Sequence, residues 1–171
     1  EFIREAIKLI DEQKASTIIE HITYDKLEES WNAEEIFVDP TITGEYGSNV
    51  VDAKKHLFDK LRYDSTIEKD FAGELDVADS VELYVKLPSG FYINTPMGKY
   101  NPDWAITFKE GSVKHIYFVA ETKGDTSDIQ LREVEKAKIE CARRHFSVIS
   151  SDTVKYSAVS SYAELLAKVN A

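Results

Sequence analysis

The run Ile116-Tyr117-Phe118-Val119-Ala120 is apolar at every position and stops abruptly at Glu121-Thr122-Lys123. A strand with one wet face alternates apolar and polar residues, whereas a strand apolar at consecutive positions has both faces covered. Such a strand belongs inside a sheet that carries helices on its two sides. The charges at its end then stand where a buried strand meets a polar site, and charges in that position need a ligand or ion to face.

The surrounding segments supply the other layers. Asp103–Phe108 and Lys114–Thr122 are strand-like around Glu110-Gly111-Ser112 and read as a β-hairpin. Val81–Leu87 alternates as a strand until Pro88-Ser89-Gly90 breaks it, and Phe91–Ile93 reads as a short strand. Ala53–Tyr63 is compatible with a helix, and Ser65-Thr66-Ile67-Glu68 is a capping-box pattern opening a helix towards Asp76. Asp128–Phe146 is the strongest helix, with Ile129, Val134, Ala137, Ile139, Cys141 and Ala142 on one broad apolar side. Val154–Val159 reads as a last strand, and Ser161–Glu164 opens a short closing helix. Helix, strands, helix, strand in that order implies an α/β fold, a sheet flanked by helices.

The start of the chain reads differently. Glu1–Lys14 is an amphipathic helix by spacing, while Ser16–Val51 mixes β-like runs (Thr17–Ile19 and Ile36–Val38) with turn residues. Residues 1–50 are therefore read as an appendage or the end of a preceding domain, and 51–171 as the main domain.

A length of 171 residues suits one domain, or one with an appendage. No stretch approaches the roughly 20 apolar residues of a membrane helix, and no secretory signal opens the chain, so no membrane partner is expected. The single cysteine, Cys141, excludes an intramolecular disulfide framework and fits a reducing, cytoplasmic location. Net charge is −10, which argues against a simple nucleic-acid-coating module. The charge is uneven: residues 1–82 hold 9 Lys+Arg and 21 Asp+Glu, residues 83–171 hold 12 and 10. A site that meets phosphate is expected in the second half. No Walker A loop and no Gly-x-Gly-x-x-Gly motif is present; Gly98-Lys99 is followed by Tyr100.

The chemistry gathers in Pro102-Asp103 and Glu121-Thr122-Lys123. A hairpin centred on Gly111 sets Asp103 opposite Val119 and makes Glu121 its diagonal neighbour on the same face, with Cβ atoms about 7 Å apart. Two carboxylates so placed can share a hard divalent cation such as Mg²⁺. Lys123, two residues from Glu121, shares its face if the strand persists. A lysine there orients an attacking water, neutralises phosphate and stabilises developing charge.

This pattern resembles the PD-(D/E)xK nuclease superfamily. The longer string is more specific: Tyr63-Asp64-Ser65, Ile67-Glu68-Lys69, Val85-Lys86-Leu87-Pro88, Tyr100–Ala105 and Ile116–Gly124, followed by Cys141 and His145-Phe146. Over about residues 51–150 it is similar to the C-terminal endonuclease domain of the Res subunit of type III restriction enzymes. The resemblance implies a restriction-endonuclease-like mixed central sheet flanked by helices, with Mg²⁺-dependent hydrolysis of DNA phosphodiesters (Mn²⁺ as a substitute). It implies that Asp103, Glu121 and the Thr122 carbonyl hold the metal, that Lys123 assists the water, and that Glu68 is an extra acidic residue near the metal. The implied partners are DNA, an ATP-driven translocase motor of the same polypeptide and a methylating, DNA-recognising Mod subunit. ATP enters only through that motor, which this sequence does not encode.

Each residue also has a plainer reading. Asp103 after proline suits a turn, Glu68 is explained by helix capping alone, and Arg132, Lys136, Arg143 and Arg144 suit a solvated helix face. Cys141, His145 and Trp104 read as core. Two other functions remain open at this stage: another PD-(D/E)xK enzyme, such as a repair nuclease or resolvase, and a non-catalytic nucleic-acid-binding or assembly domain of the same fold.

Overall fold

The computed structural model describes residues 2–25, 48–109, 116–121, 129–149, 154–159 and 161–169. Helix α1 spans Phe2–His21, and strands β1 (Val50–Asp52) and β2 (Lys60–Arg62) form an antiparallel pair. Helix α2 (Thr66–Val77) precedes β3 (Val81–Lys86), the hairpin β4 (Ile93–Thr95) and β5 (Gly98–Tyr100), then β6 (Trp104–Phe108) and β7 (Ile116–Glu121). Helix α3 (Ile129–Ile149), β8 (Val154–Val159) and α4 (Tyr162–Val169) follow.

The central sheet has the order β3-β6-β7-β8. Its first two pairings are antiparallel and the last is parallel, with α3 lying between β7 and β8 in the chain. A parallel neighbour requires a long crossover, and a helix provides it. One face buries Phe71 and Leu75 of α2 with Tyr84, Trp104 and Ile106 of the sheet and Leu165 of α4. The other packs Ala142 and Phe146 of α3 with Ile93, Tyr100 and Tyr156. The mixed α/β sheet flanked by helices is as expected. No helix among the described residues is long and apolar enough to cross a membrane.

Both capping serines act as expected: Ser65 Oγ accepts from the Glu68 amide at 3.1 Å, and Ser161 Oγ from the Glu164 amide at 3.3 Å. Three local expectations are corrected. Thr17–Ile19 is not strand but the last part of α1, where an established helix overrides β-branched propensity. Ala53–Tyr63 is not helical. The Leu57 amide, the first that a helix opening at Ala53 would bond internally, donates instead to the Tyr84 carbonyl at 3.0 Å, and Lys60–Arg62 pairs as a strand with Val50–Asp52, while the Asp76 carboxylate holds the Lys54 and Lys55 amides at 2.8–2.9 Å. The strand read at Phe91–Ile93 begins only at Ile93, because the Phe91 amide closes a turn onto the Pro88 carbonyl. Gly98, at a φ of 100°, carries the chain from Pro96-Met97 into β5 through a region L side chains avoid.

The hairpin register also differs by one residue. Trp104 pairs with Val119 and Ile106 with Tyr117, where a hairpin centred on Gly111 would set Asp103 opposite Val119. Position 121 is thereby in register with 102, not diagonal to 103. A strand apolar on both faces carries no pattern that distinguishes one register from the next. The run Ile36–Val38 and the hairpin tip Glu110–Ser112 lie outside the described residues.

The free side of β3 is covered by residues 55–57. The Tyr84 amide donates to the Lys55 carbonyl at 2.9 Å, the Leu57 amide to the Tyr84 carbonyl at 3.0 Å, and the Lys86 amide to His56 Nε2 at 3.2 Å. With Nε2 accepting, the neutral ring carries its proton on Nδ1, 3.1 Å from the Phe58 carbonyl. Burial lowers the His56 pKa, opposed by the Phe58 hydrogen bond and the charge of Asp76. A histidine depressed in the fold contributes stability that is complete above the unfolded value near 6.5 and is lost as pH falls from there through the folded pKa. His145, lowered by burial, acts in the same direction. His56→Gln should therefore flatten, without abolishing, the loss of melting temperature between about pH 7 and 5. An unchanged slope would show that His56 titrates normally.

Candidate functional site

The register aligns Lys86 of β3 with Trp104 of β6, and Trp104 with Val119 of β7. The last residues of β3 and β7 and the first of β6 therefore meet at one end of the sheet. Asp103 enters this end one residue before β6, and its carbonyl accepts from the Leu87 amide at 2.8 Å. Proline at 102, buried, sets the approach with a fixed φ and no amide donor. Asn101 Nδ2 donates to the Ser89 carbonyl at 3.0 Å and the Phe91 carbonyl at 2.6 Å, tying the loop after β3 to the same place. Glu121 closes β7, its backbone paired with Val159.

The half-buried Asp103 lies on the α3 side. Its charge is felt by Tyr100 and Tyr156, whose hydroxyls share a 2.7 Å hydrogen bond, and the Tyr156 ring stacks on Phe146 at 5.0 Å. Burial foremost, with Asp103 and Glu135 adding to it, pushes Tyr156 up to about 12 despite the Tyr100 hydrogen bond, and pushes Tyr100 well above the ordinary tyrosine value. Both hydroxyls are neutral at any working pH.

Glu68 lies on the other side, in the first turn of α2. Its Oε2 accepts from the Asp64 amide at 2.7 Å and from Lys86 Nζ at 2.6 Å, and Lys86 Nζ also meets Asp64 Oδ2 at 2.7 Å. The Glu68 side chain is 7% exposed and that of Lys86 20%. The capping box is thus half standard: Ser65 caps the Glu68 amide, while the glutamate answers to the amide of Asp64 instead of Ser65. Burial works to lower the Lys86 pKa, but the hydrogen bonds and charges of Asp64 and Glu68 outweigh it and raise it.

Of the residues nominated from sequence, Asp103 and Glu68 are placed at the same end of the sheet, and Glu121 enters through its backbone. Thr122 and Lys123 lie outside the described residues. Among the described residues no three metal-ligating side chains cluster. The donor types at this end, carboxylates with no cysteine among them, suit a hard cation bound through oxygen. Arg143 and Arg144 pair with Glu140 at 2.7 and 3.3 Å, and Arg144 also donates to the Glu20 carbonyl of α1. Cys141 and Trp104 are fully buried and His145 is half-buried against Tyr24, as core readings require. Lys86 is the residue whose contacts the sequence reading missed. The signal was a lysine closing a strand whose preceding residues, Tyr84 and Val85, are apolar.

A family model described as an endonuclease domain matches residues 54–162, from the segment covering β3 to the first residue of α4. The chain belongs to this endonuclease-domain family. The matched span contains Glu68, Lys86, Asp103, Glu121, Thr122 and Lys123. Two curated proteins are 34% identical over 98 residues: the Res subunits of the type III restriction-modification enzymes EcoPI, from Escherichia phage P1, and EcoP15I, from Escherichia coli. Each match covers 56% of this chain and 10% of the relative, so the chain spans only a small part of the proteins it matches. No solved structure matches the chain. The expected resemblance to type III Res subunits is borne out, and α1 lies outside the span matched by the endonuclease domain.

Proposed function

We propose that this endonuclease domain is the cleavage module of a type III restriction enzyme and hydrolyses DNA phosphodiesters with Mg²⁺. The observation that carries the reading is the meeting of Asp103 and the end of β7 at one end of the sheet, within the span that matches the endonuclease family. Asp103, Glu121 and the Thr122 carbonyl would hold the ion, with Mn²⁺ able to substitute. When bound, the ion supplies a more acidic water and neutralises the attacked phosphate. Lys123 orients the water and offsets charge on the phosphoryl oxygens, and Glu68 accepts a hydrogen bond from water at the site. A translocase motor in the same polypeptide and a Mod subunit would deliver DNA, with ATP used only by the motor.

The test is cleavage by the assembled enzyme with Mg²⁺, with Mn²⁺, and after chelation. Activity with either ion and none after chelation supports the reading; cleavage that survives chelation overturns it. A second expectation concerns the 171-residue chain alone. Backbone neutralisation by Lys and Arg supplies most non-specific DNA affinity, and a net charge of −10 opposes it. The isolated chain should bind duplex weakly at ~150 mM salt and cut slowly without sequence preference. Tight, sequence-selective binding in a salt titration would instead point to a free-standing restriction or repair nuclease.

A further inference from the structure

Lys86 connects parts of the site that are far apart in the chain. Its ammonium binds Glu68 on α2 and Asp64 before it. Its amide is held by His56, it pairs with Trp104, and the amide of the next residue, Leu87, holds the Asp103 carbonyl. The position is thus bonded, directly or through its neighbour, to the helix carboxylate and to the strand end that carries Asp103. The two oxygens of Glu68 are used unequally. Oε2 accepts from both Lys86 Nζ and the Asp64 amide, while no described residue donates to Oε1. A carboxylate pinned through one oxygen presents the other in a fixed direction. Stability alone does not account for the two charges, because a buried ion pair is often no more stabilising than an apolar pair of the same volume.

We propose that Lys86 is a positioning residue of the nuclease site, gripping Glu68 through Oε2 so that Oε1 stays fixed for water or the cation at the end of the sheet. The inference rests on the reading of that end as a Mg²⁺-dependent nuclease site. Lys86 touches neither DNA nor the reacting atoms; it acts through Glu68.

The experiment compares Lys86→Met, Lys86→Arg, Glu68→Gln and the double variant Lys86→Met/Glu68→Gln in the assembled enzyme, with Asp103→Ala as reference. Two readouts are taken: cleavage rate against Mg²⁺ and DNA concentration, and Mn²⁺ binding followed by the resonance signal of the free ion. Loss of a residue supporting a metal site costs about 10–100-fold in affinity or activity. Lys86→Met should therefore slow cleavage by about that factor and weaken Mn²⁺ binding, with KM for DNA unchanged. Lys86→Arg, which keeps a charged donor, should recover most of both. The double variant should match Glu68→Gln alone, since without the Glu68 carboxylate the lysine keeps only the exposed Asp64, which has no part in the site.

Wild-type behaviour of Lys86→Met or Glu68→Gln overturns the proposal, and so does a double variant much slower than Glu68→Gln. If Lys86→Met fails to fold, the double variant leaves no buried charge unpaired, Asp64 being exposed, and still decides. If Asp103→Ala cleaves normally, the nuclease reading itself fails and takes this proposal with it. If Asp103→Ala is inactive and Lys86→Met is normal, only the role of Lys86 is lost.

Discussion

Asp103→Ala in the assembled enzyme is expected, on the proposed function, to lose cleavage by about 10³-fold or more, because the cation it would hold supplies several kcal/mol of transition-state stabilisation and each 1.4 kcal/mol is tenfold. Asp103 sits outside the regular pairing of β6 and is only half-buried, so its carboxyl is not part of either apolar cluster. The alanine variant should therefore keep its fold, melting within about 2 °C of wild type. On the proposed function DNA binding should persist, because the delivering parts would supply the phosphate contacts and base readout. Glu121→Ala is expected to behave alike. Cleavage assays with Mg²⁺, paired with DNA binding and thermal melts, check the three parts separately. Substantial Mg²⁺-dependent cleavage by either variant removes the assignment.

Trp104→Ala should produce the largest loss of stability. The Trp104 side chain is fully buried, with ring centroids 5.7 Å from Phe71 of α2 and 6.0 Å from Tyr84 of β3. It joins helix to sheet one residue from Asp103. Truncating a buried tryptophan costs about 3–5 kcal/mol, since the surroundings collapse only partly into the cavity. For a domain of this size that lowers the melting temperature by roughly 6–20 °C. Trp104→Phe should cost less. It keeps an aromatic ring between Phe71 and Tyr84 and removes an indole N–H that has no acceptor among the described residues. Denaturant titration of both variants decides: a loss below about 1 kcal/mol for the alanine variant would mean that Trp104 does not anchor the core.

The sheet and its helices were legible because their residues carry local signals. Val154–Val159 forms a strand with the bounds read from its pattern, and Ser65 and Ser161 cap the helices they were read to open. Ala53–Tyr63 was not legible, because nothing local in it reports that Tyr84 of β3 takes the Leu57 amide or that Val50–Asp52 pairs with Lys60–Arg62. The site divides in the same way. Asp103 and Glu121 were nominated from the proline before the one and the apolar run that ends at the other, while the spacing that made them diagonal neighbours rested on a register one residue off. Lys86 was visible only as a strand residue, although its ammonium meets the carboxylates of Asp64, before α2, and Glu68, on it.

Periodicity, capping and apolar runs are properties of neighbouring residues, so the sequence alone determined the elements of the central sheet and its flanking helices, the α/β class and the candidate carboxylates. The register of the β6–β7 hairpin, the β1–β2 pair and the grip of Lys86 on Glu68 were decided by tertiary structure. In each case two arrangements agree equally well with local propensity. A strand apolar on both faces satisfies either register, and a lysine at a strand end can equally face solvent or a carboxylate. The choice falls to partners distant in the chain, which contribute their hydrogen bonds and charge only once the core has brought them into contact.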